Sequence, residues 1–166
     1  MRMKIAVLAG AFLAAHIVCA DPLVPAAVTS DWWQVRFKAK QAEIAALKGE
    51  VDLVFAGDSI THIWESRCPE ILMELKRSYT LLNIGYSGDK VENLNWRFEH
   101  GELDGYRVKC VMLLIGTNNP RSEYAKTAQG IRRALDIIAE KQPQAKTLLL
   151  PVFPRRDSPD GPMGKP

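Results

Sequence analysis

The chain has 166 residues, of which 47% are apolar and 25% charged, with a formal net charge of +3 at pH 7. One domain of this size can bury roughly 68–70% of its unfolded surface. The basic residues are scattered rather than clustered, which argues against nucleic acid or an anionic membrane as partner. No CxxC, HExxH or paired-histidine spacing occurs, so neither a metal nor a cofactor has support in the sequence.

Residues 1–20 read as a signal peptide. Arg2 and Lys4 form a basic start, "IAVLAGAFLAAHIV" is an apolar run too short to span a bilayer, and Val18 and Ala20 supply the small residues for cleavage after Ala20. An uncleaved N-terminal anchor is the alternative. Cleavage predicts an exported protein, periplasmic or extracellular, running from 21 to 166. It takes the 22 basic residues to 20 against 19 acidic ones, so the net charge falls to +1. Cys19 leaves with the signal. Cys68 and Cys110 remain, and read as ordinary buried or half-buried thiols although export permits a disulfide.

Residues 21–30, "DPLVPAAVTS", are an extended lead-in. From Asp31 to Gly49 the spacing of Trp33, Phe37, Lys40, Ile44 and Leu47 predicts a helix. "VDLVFAG" is a buried strand, and a helix starting at Ser59 is interrupted near Cys68-Pro69 before resuming. The alternation then repeats. Strands are predicted at 79–85, 107–116 and 145–153, and helices at 89–101 and 122–142, the first stopped by Gly101. Nearly apolar strands alternating with helices imply one parallel sheet covered on both faces. Residues 31–166 thus form a single α/β domain.

Ligands of such sheets bind beyond the carboxyl ends of the strands. The first strand ends in Gly57-Asp58-Ser59, the second in "NIGYSGDK" (83–90), the third in "GTNN" (116–119). Each pairs glycine with a group that can attack or donate. Taken alone, Ser59 is as well explained as a helix cap, Gly85 and Gly88 as a tight loop, and Asn118 and Asn119 as turn residues. Together they suit acyl transfer. A serine at a helix start is an exposed nucleophile, and the N–H groups of Ser59 and Gly88 with the Asn118 amide are placed to form an oxyanion hole.

"FAGDSITHIW", "NIGYSGDKVENLNWRFEHGELDG" and "LLIGTNNP" resemble blocks I, II and III of the SGNH, or GDSL-type, lipases and esterases. The resemblance is nearest to bacterial members similar to the catalytic subunits of platelet-activating-factor acetylhydrolase. It covers roughly residues 31–163. It implies a three-layer αβα sandwich with a flavodoxin-like sheet, strand order 2-1-3-4-5. It also implies Ser59 as nucleophile and Ser59, Gly88 and Asn118 as oxyanion donors. Beside them in the chain, Asp58, His62 and Asn119 are candidates to line the pocket.

The chain departs from the family where the general base is expected. No D-x-x-H occurs, so the base histidine and its aspartate, the fifth strand and the last helix are all read as missing. That would leave "AKTLLLPVF" as an uncovered apolar edge. His62 shares the helix of Ser59, which makes a base role awkward, and His100 precedes Gly101, where imidazoles cap carbonyls. Two functions follow. One is a secreted serine esterase cleaving short acyl esters, acetyl-type and plausibly carried on carbohydrate. The other is a non-catalytic remnant or ligand-binding module. The partner expected is a small-molecule ester; the oligomeric state is left open.

Overall fold

The computed structural model describes residues 21–47, 49–119 and 123–153. The residues read as a signal peptide lie outside this range. Helix α1 (Asp31–Ala46) leads into strand β1 (Glu50–Gly57), and three short helices follow: α2 (Ser59–His62), α3 (Trp64–Arg67) and α4 (Pro69–Ser78). Pro69 opens α4, a position where its missing N–H costs nothing. Strand β2 (Leu81–Gly85), helix α5 (Val91–Arg97) with a wide turn at Phe98–Glu102, and strand β3 (Arg107–Leu114) come next. Helix α6 (Tyr124–Lys141) and strand β4 (Lys146–Leu149) complete the described elements. No helix among the described residues is long and apolar enough to cross a membrane.

The four strands form one parallel sheet in the order β2-β1-β3-β4, which is the order expected for these strands in a flavodoxin-like sheet. Its register aligns the strand ends that matter. Gly57 at the end of β1 pairs with Gly85 on one side and Leu114 on the other. Strands β1 and β2 are buried along most of their length because helices cover both faces there. On one side lie Trp33, Leu94, Phe98, Ala134 and Ile138, packed with Val54, Ile84 and Leu113; on the other, Leu72 packs with Phe55 and Leu81.

Strand β4 differs. All four of its residues are exposed, as are Val152 and Phe153 beyond it, so the apolar edge expected at 145–153 stands at the surface of the described residues. The expected strand over 145–153 is regular only over Lys146–Leu149. Cys68 and Cys110 are free and half-buried. The helix expected over 89–101 is α-helical only to Arg97, because non-helical backbone at His100 and Gly101 widens the last turn.

The lead-in is part of the fold. The Asn93 amide donates to the Ala26 carbonyl at 2.9 Å, and the Ala26 N–H donates to the Glu92 carbonyl at 3.1 Å, which ties the segment to α5.

Candidate active site

Two glycines let the helix carrying Ser59 sit directly on the sheet. A Cβ at Gly57 would overlap the Leu114 carbonyl and stand 2.5 Å from Thr61 Oγ1. A Cβ at Gly85 would overlap the backbone of α2, with Thr61 atoms at 2.8 Å. Side chains at these positions would lift α2 off the ends of β1 and β2.

Asp58, not Ser59, caps that helix. Its Oδ1 accepts the Ile60 N–H at 2.9 Å, and the residue is fully buried. Asp58, read as possible lining, is therefore the turn's anchor. Ser59 takes the first helical position, where an N–H has no intrahelical acceptor. Its side chain is half-buried, and the cap reading of its hydroxyl is displaced by the carboxylate beside it.

The second strand end is a tight turn. The Tyr86 N–H donates to the Gly57 carbonyl at 3.0 Å, binding the turn to β1, and the Asp89 N–H closes it on the Tyr86 carbonyl at 3.2 Å. Gly88 occupies the third position with φ +83°, the left-handed value that a type II turn requires of glycine. On the far side of the turn, Asn118 Nδ2 donates to the Asp89 carbonyl at 2.8 Å. Asn118, in the loop after β3, is thus brought against the residue following Gly88.

Asn119, expected as possible lining, has a different task. Its Oδ1 accepts the Val91 N–H at 3.0 Å, and its Nδ2 donates to Glu92 Oε2 at 2.8 Å. A side chain from another loop thereby satisfies the first free N–H of α5. Both ends of its amide bond to the start of that helix.

The two described histidines are also engaged. His62 Nδ1 lies 2.9 Å from Ser87 Oγ and accepts the Ser87 N–H at 3.2 Å. Its ring lies parallel to that of Trp32, with centroids 6.3 Å apart. Burial lowers its pKa, the Arg36 and Lys40 charges add to this, and Glu65 opposes them. His100 stacks on Trp96 at 3.9 Å and its Nδ1 contacts the Trp96 carbonyl at 2.7 Å, in the carbonyl-capping role expected of it. Neither is bonded to Ser59. Among the described residues, no carboxylate or imidazole makes a hydrogen bond to the Ser59 hydroxyl.

Beneath the turn lies a buried charged group that sequence reasoning missed. Arg97, fully buried, donates from Nε to Asp89 Oδ2 at 2.9 Å, from Nη1 to the Ile84 carbonyl at 3.1 Å, and also to Glu102. Its guanidinium stands 3.9 Å from the Tyr86 ring centroid, and the Tyr86 hydroxyl donates to Glu102 at 2.5 Å. Asp89 also accepts the Trp33 indole N–H at 2.7 Å. Burial pushes the Asp89 and Glu102 carboxyls up, against the pull of Arg97, and pushes the Tyr86 hydroxyl up as well. The group holds the turn's Asp89 from below. In the sequence these charges look like any solvated helix face.

A second charged group ties α1 to the same end of the sheet. Arg36 grips Glu65 with two bonds of 3.0 Å and donates to the Gly85 carbonyl at 2.9 Å, while Lys40 reaches Glu65 at 3.2 Å. Partial burial raises the Glu65 carboxyl, but these two cations outweigh it and hold it below its ordinary value. A shallow groove of about 460 Å³ lined by Arg77, Tyr79 and Thr80 lies at the opposite, amino end of the sheet and takes no part in this arrangement.

A model of the GDSL-like Lipase/Acylhydrolase family matches residues 55–165. Platelet-activating factor acetylhydrolase IB subunit alpha2 of Rattus norvegicus is 34% identical over 111 residues, 67% of this chain and 48% of the relative. Subunit alpha1 of Bos taurus is 36% identical over 111 residues, 67% of this chain and 47% of that relative. The chain spans about half the length of the curated relatives it matches. A solved structure described as an acylhydrolase from Bacteroides fragilis superposes with a TM-score of 0.59 at 19% identity, over 75% of this chain and 60% of that one. One described as a platelet activating factor from Streptococcus pneumonia gives 0.56 at 22% identity, over 76% and 59%. At these identities the structures speak for the fold, an α/β sandwich around a parallel sheet.

Proposed function

The chain belongs to the GDSL-like lipase/acylhydrolase family, and on that premise we propose that it supplies the nucleophile and oxyanion donors of a serine esterase acting on short acyl esters. Ser59 Oγ adds to the ester carbonyl as its proton passes to a solvent water. The tetrahedral oxyanion is held by the N–H groups of Ser59 and Gly88 and by the Asn118 amide. The Asn118 amide is held at the turn by its bond to the Asp89 carbonyl. Collapse expels the alcohol, which takes up the proton, and leaves the acyl group on Ser59. Water then attacks the acyl-enzyme and releases the acid.

One observation carries this reading. Asp58 takes over the helix cap, so the Ser59 hydroxyl is not spent on it, while Asn118 is bonded beside Gly88 at the neighbouring strand end. An exposed aromatic ring beside His62 supports a substrate class. Trp32, 45% exposed and parallel to the His62 ring, offers an aromatic face suited to a sugar, which favours acetylated carbohydrate, and export would bring the enzyme to such material. The test is hydrolysis of p-nitrophenyl acetate by the wild-type chain and by Ser59→Ala. Loss of turnover in the variant is expected, and unchanged turnover would remove Ser59 from the reaction.

A second reading, a module that binds acyl esters without turning them over, is favoured by the engagement of His62 with Ser87 and of His100 with the Trp96 carbonyl. It predicts saturable binding of an acetylated sugar together with no release of p-nitrophenol.

A further inference from the structure

His62 has no place in the chemistry above, yet its side chain makes a specific bridge. It sits on the helix that begins with Ser59, and it reaches across to the turn that carries Gly88. The Ser87 N–H points at Nδ1, at 3.2 Å, so Nδ1 is the unprotonated nitrogen and the Ser87 hydroxyl, at 2.9 Å, also donates to it. The proton then resides on Nε2, which lies 4.0 Å from Glu65 Oε2.

We propose that His62 is a positioning residue: by accepting from Ser87 through its neutral Nδ1 it fixes the direction of the Gly88 N–H, and it releases that N–H when the imidazole takes up a proton. The inference rests on the esterase reading only where it calls Gly88 an oxyanion donor.

Geometry explains why this bond matters. The N–H of Gly88 belongs to the central peptide of a tight turn, between Ser87 and Gly88. That peptide is the part of a turn that differs in orientation between types I and II. Among the described residues the turn's other bonds fall outside that peptide: the Tyr86 N–H on the Gly57 carbonyl, the Asp89 N–H on the Tyr86 carbonyl, the Asp89 carbonyl under Asn118, and the Asp89 carboxylate on Trp33 and Arg97. His62 grips the residue that shares the central peptide. A protonated imidazole is a donor at both nitrogens and cannot accept the Ser87 N–H.

The groups facing His62 set where that happens. From α1 come the cations of Arg36 and Lys40, and from α3 comes the Glu65 carboxylate, itself paired to both. The Trp32 ring lies nearly parallel to the imidazole, with centroids 6.3 Å apart. Partial burial and the two cations favour the neutral ring, so the bridge persists below the pH at which an ordinary histidine, with pKa about 6.5, would have lost it.

Two variants separate this from a merely structural role. In His62→Asn, Oδ1 stands where Nδ1 did and still accepts, but does not titrate. In His62→Leu the acceptor is gone. Proton–nitrogen NMR of the ligand-free chain should show the Ser87 and Gly88 amides shifting together with the His62 ring, at one midpoint below 6.5 or so. In His62→Asn the same amides should be flat with pH. In His62→Leu the Ser87 amide should exchange with solvent roughly 3–10-fold faster, the loss of one ordinary hydrogen bond. Ser87 and Gly88 amides indifferent to His62 protonation, or unchanged in His62→Leu, would overturn the proposal. The rate of Ser59 labelling by a fluorophosphonate supplies the second arm. As pH is lowered it should fall through the His62 midpoint in wild type and not in His62→Asn; where both proteins label, an identical pH profile would equally overturn it. Amides that follow His62 in a chain whose Ser59 labels at no pH would uphold the bridge and refute the esterase reading instead.

Discussion

Replacing Arg97 by methionine is the most informative perturbation of the fold beneath the site. The guanidinium is fully buried between two carboxylates, bonded to Asp89 and Glu102 and to the Ile84 carbonyl. Methionine restores most of the volume and none of the charge. Removing one partner from a buried ion pair costs about 3–5 kcal/mol. Here the loss is partly cushioned, because Asp89 keeps the Trp33 N–H and Glu102 keeps the Tyr86 hydroxyl. A cost of about 4 kcal/mol is a large share of a total stability of roughly 5–15 kcal/mol. With a urea slope of about 2 kcal/mol per molar, the midpoint should drop by about 2 M at pH 7. The pH dependence has a definite sign. Carboxyls whose pKa is raised by folding hold protons in the native state that the unfolded chain has lost, so stability falls as pH rises from about 4 through the raised values. Without Arg97 those values rise further, so Arg97→Met should be hurt more at pH 8 than at pH 5. Neutralising the orphans in Asp89→Asn/Arg97→Met/Glu102→Gln should recover much of the loss. A midpoint shift under about 0.5 M with unchanged slope, or a larger loss at pH 5 than at pH 8, would refute the reasoning.

The other expectations are narrower. Gly85→Ala should shift thermal unfolding downward and, if the chain hydrolyses p-nitrophenyl acetate, reduce turnover too, because its methyl overlaps the helix carrying Ser59; an unaltered melting curve would contradict the close approach. Asn119→Ala uncaps α5 and orphans a Glu92 oxygen, so urea denaturation should show a loss of about 1–2 kcal/mol, with no loss if the cap is dispensable. In an active preparation Asn118→Ala should lower turnover roughly 10²–10³-fold, measured at saturating p-nitrophenyl acetate; a change in KM alone would deny it oxyanion duty. Strand β4 exposes Leu148 and Leu149, with Val152 and Phe153 beside it, so the chain should bind a hydrophobic dye. Leu148→Lys together with Phe153→Lys should suppress that fluorescence, and bright binding that persists would place the apolar surface elsewhere.

The architecture was legible because period and punctuation agreed. Apolar strands such as "VMLLIG" between helical spacings admit few arrangements besides a covered parallel sheet, and glycine at three strand ends marked where to look. Ser59, Gly88 and Asn118 could be singled out because each stands at such an end. What the sequence hid is pairing between distant residues. Nothing in "DKVENLNWRFEHGE" distinguishes Arg97, sealed under Tyr86, from a solvated arginine, because burial of a charge depends on partners from other elements. Asn119 reads like its neighbour Asn118, yet a one-residue step along the loop turns it to the helix start. The bridge from His62 to Ser87 is hidden for the same reason, since the two lie 25 positions apart in the chain and the β1–β2 register brings them together. Asp58 is half visible: the carboxylate stands out beside Ser59, but its relief of Ser59 from capping depends on the turn's geometry.

The central claim is that Ser59 takes up the acyl group in an oxyanion hole to which the Asn118 amide donates. The direct measurement is peptide mass mapping of the chain quenched in acid during incubation with p-nitrophenyl acetate, with Asn118→Ala run in parallel. The predicted result is an acetyl adduct on the peptide containing Ser59, and a markedly slower adduct in the variant. An adduct confined to another nucleophile, or acetylation of Ser59 that proceeds equally fast without the Asn118 amide, would contradict it.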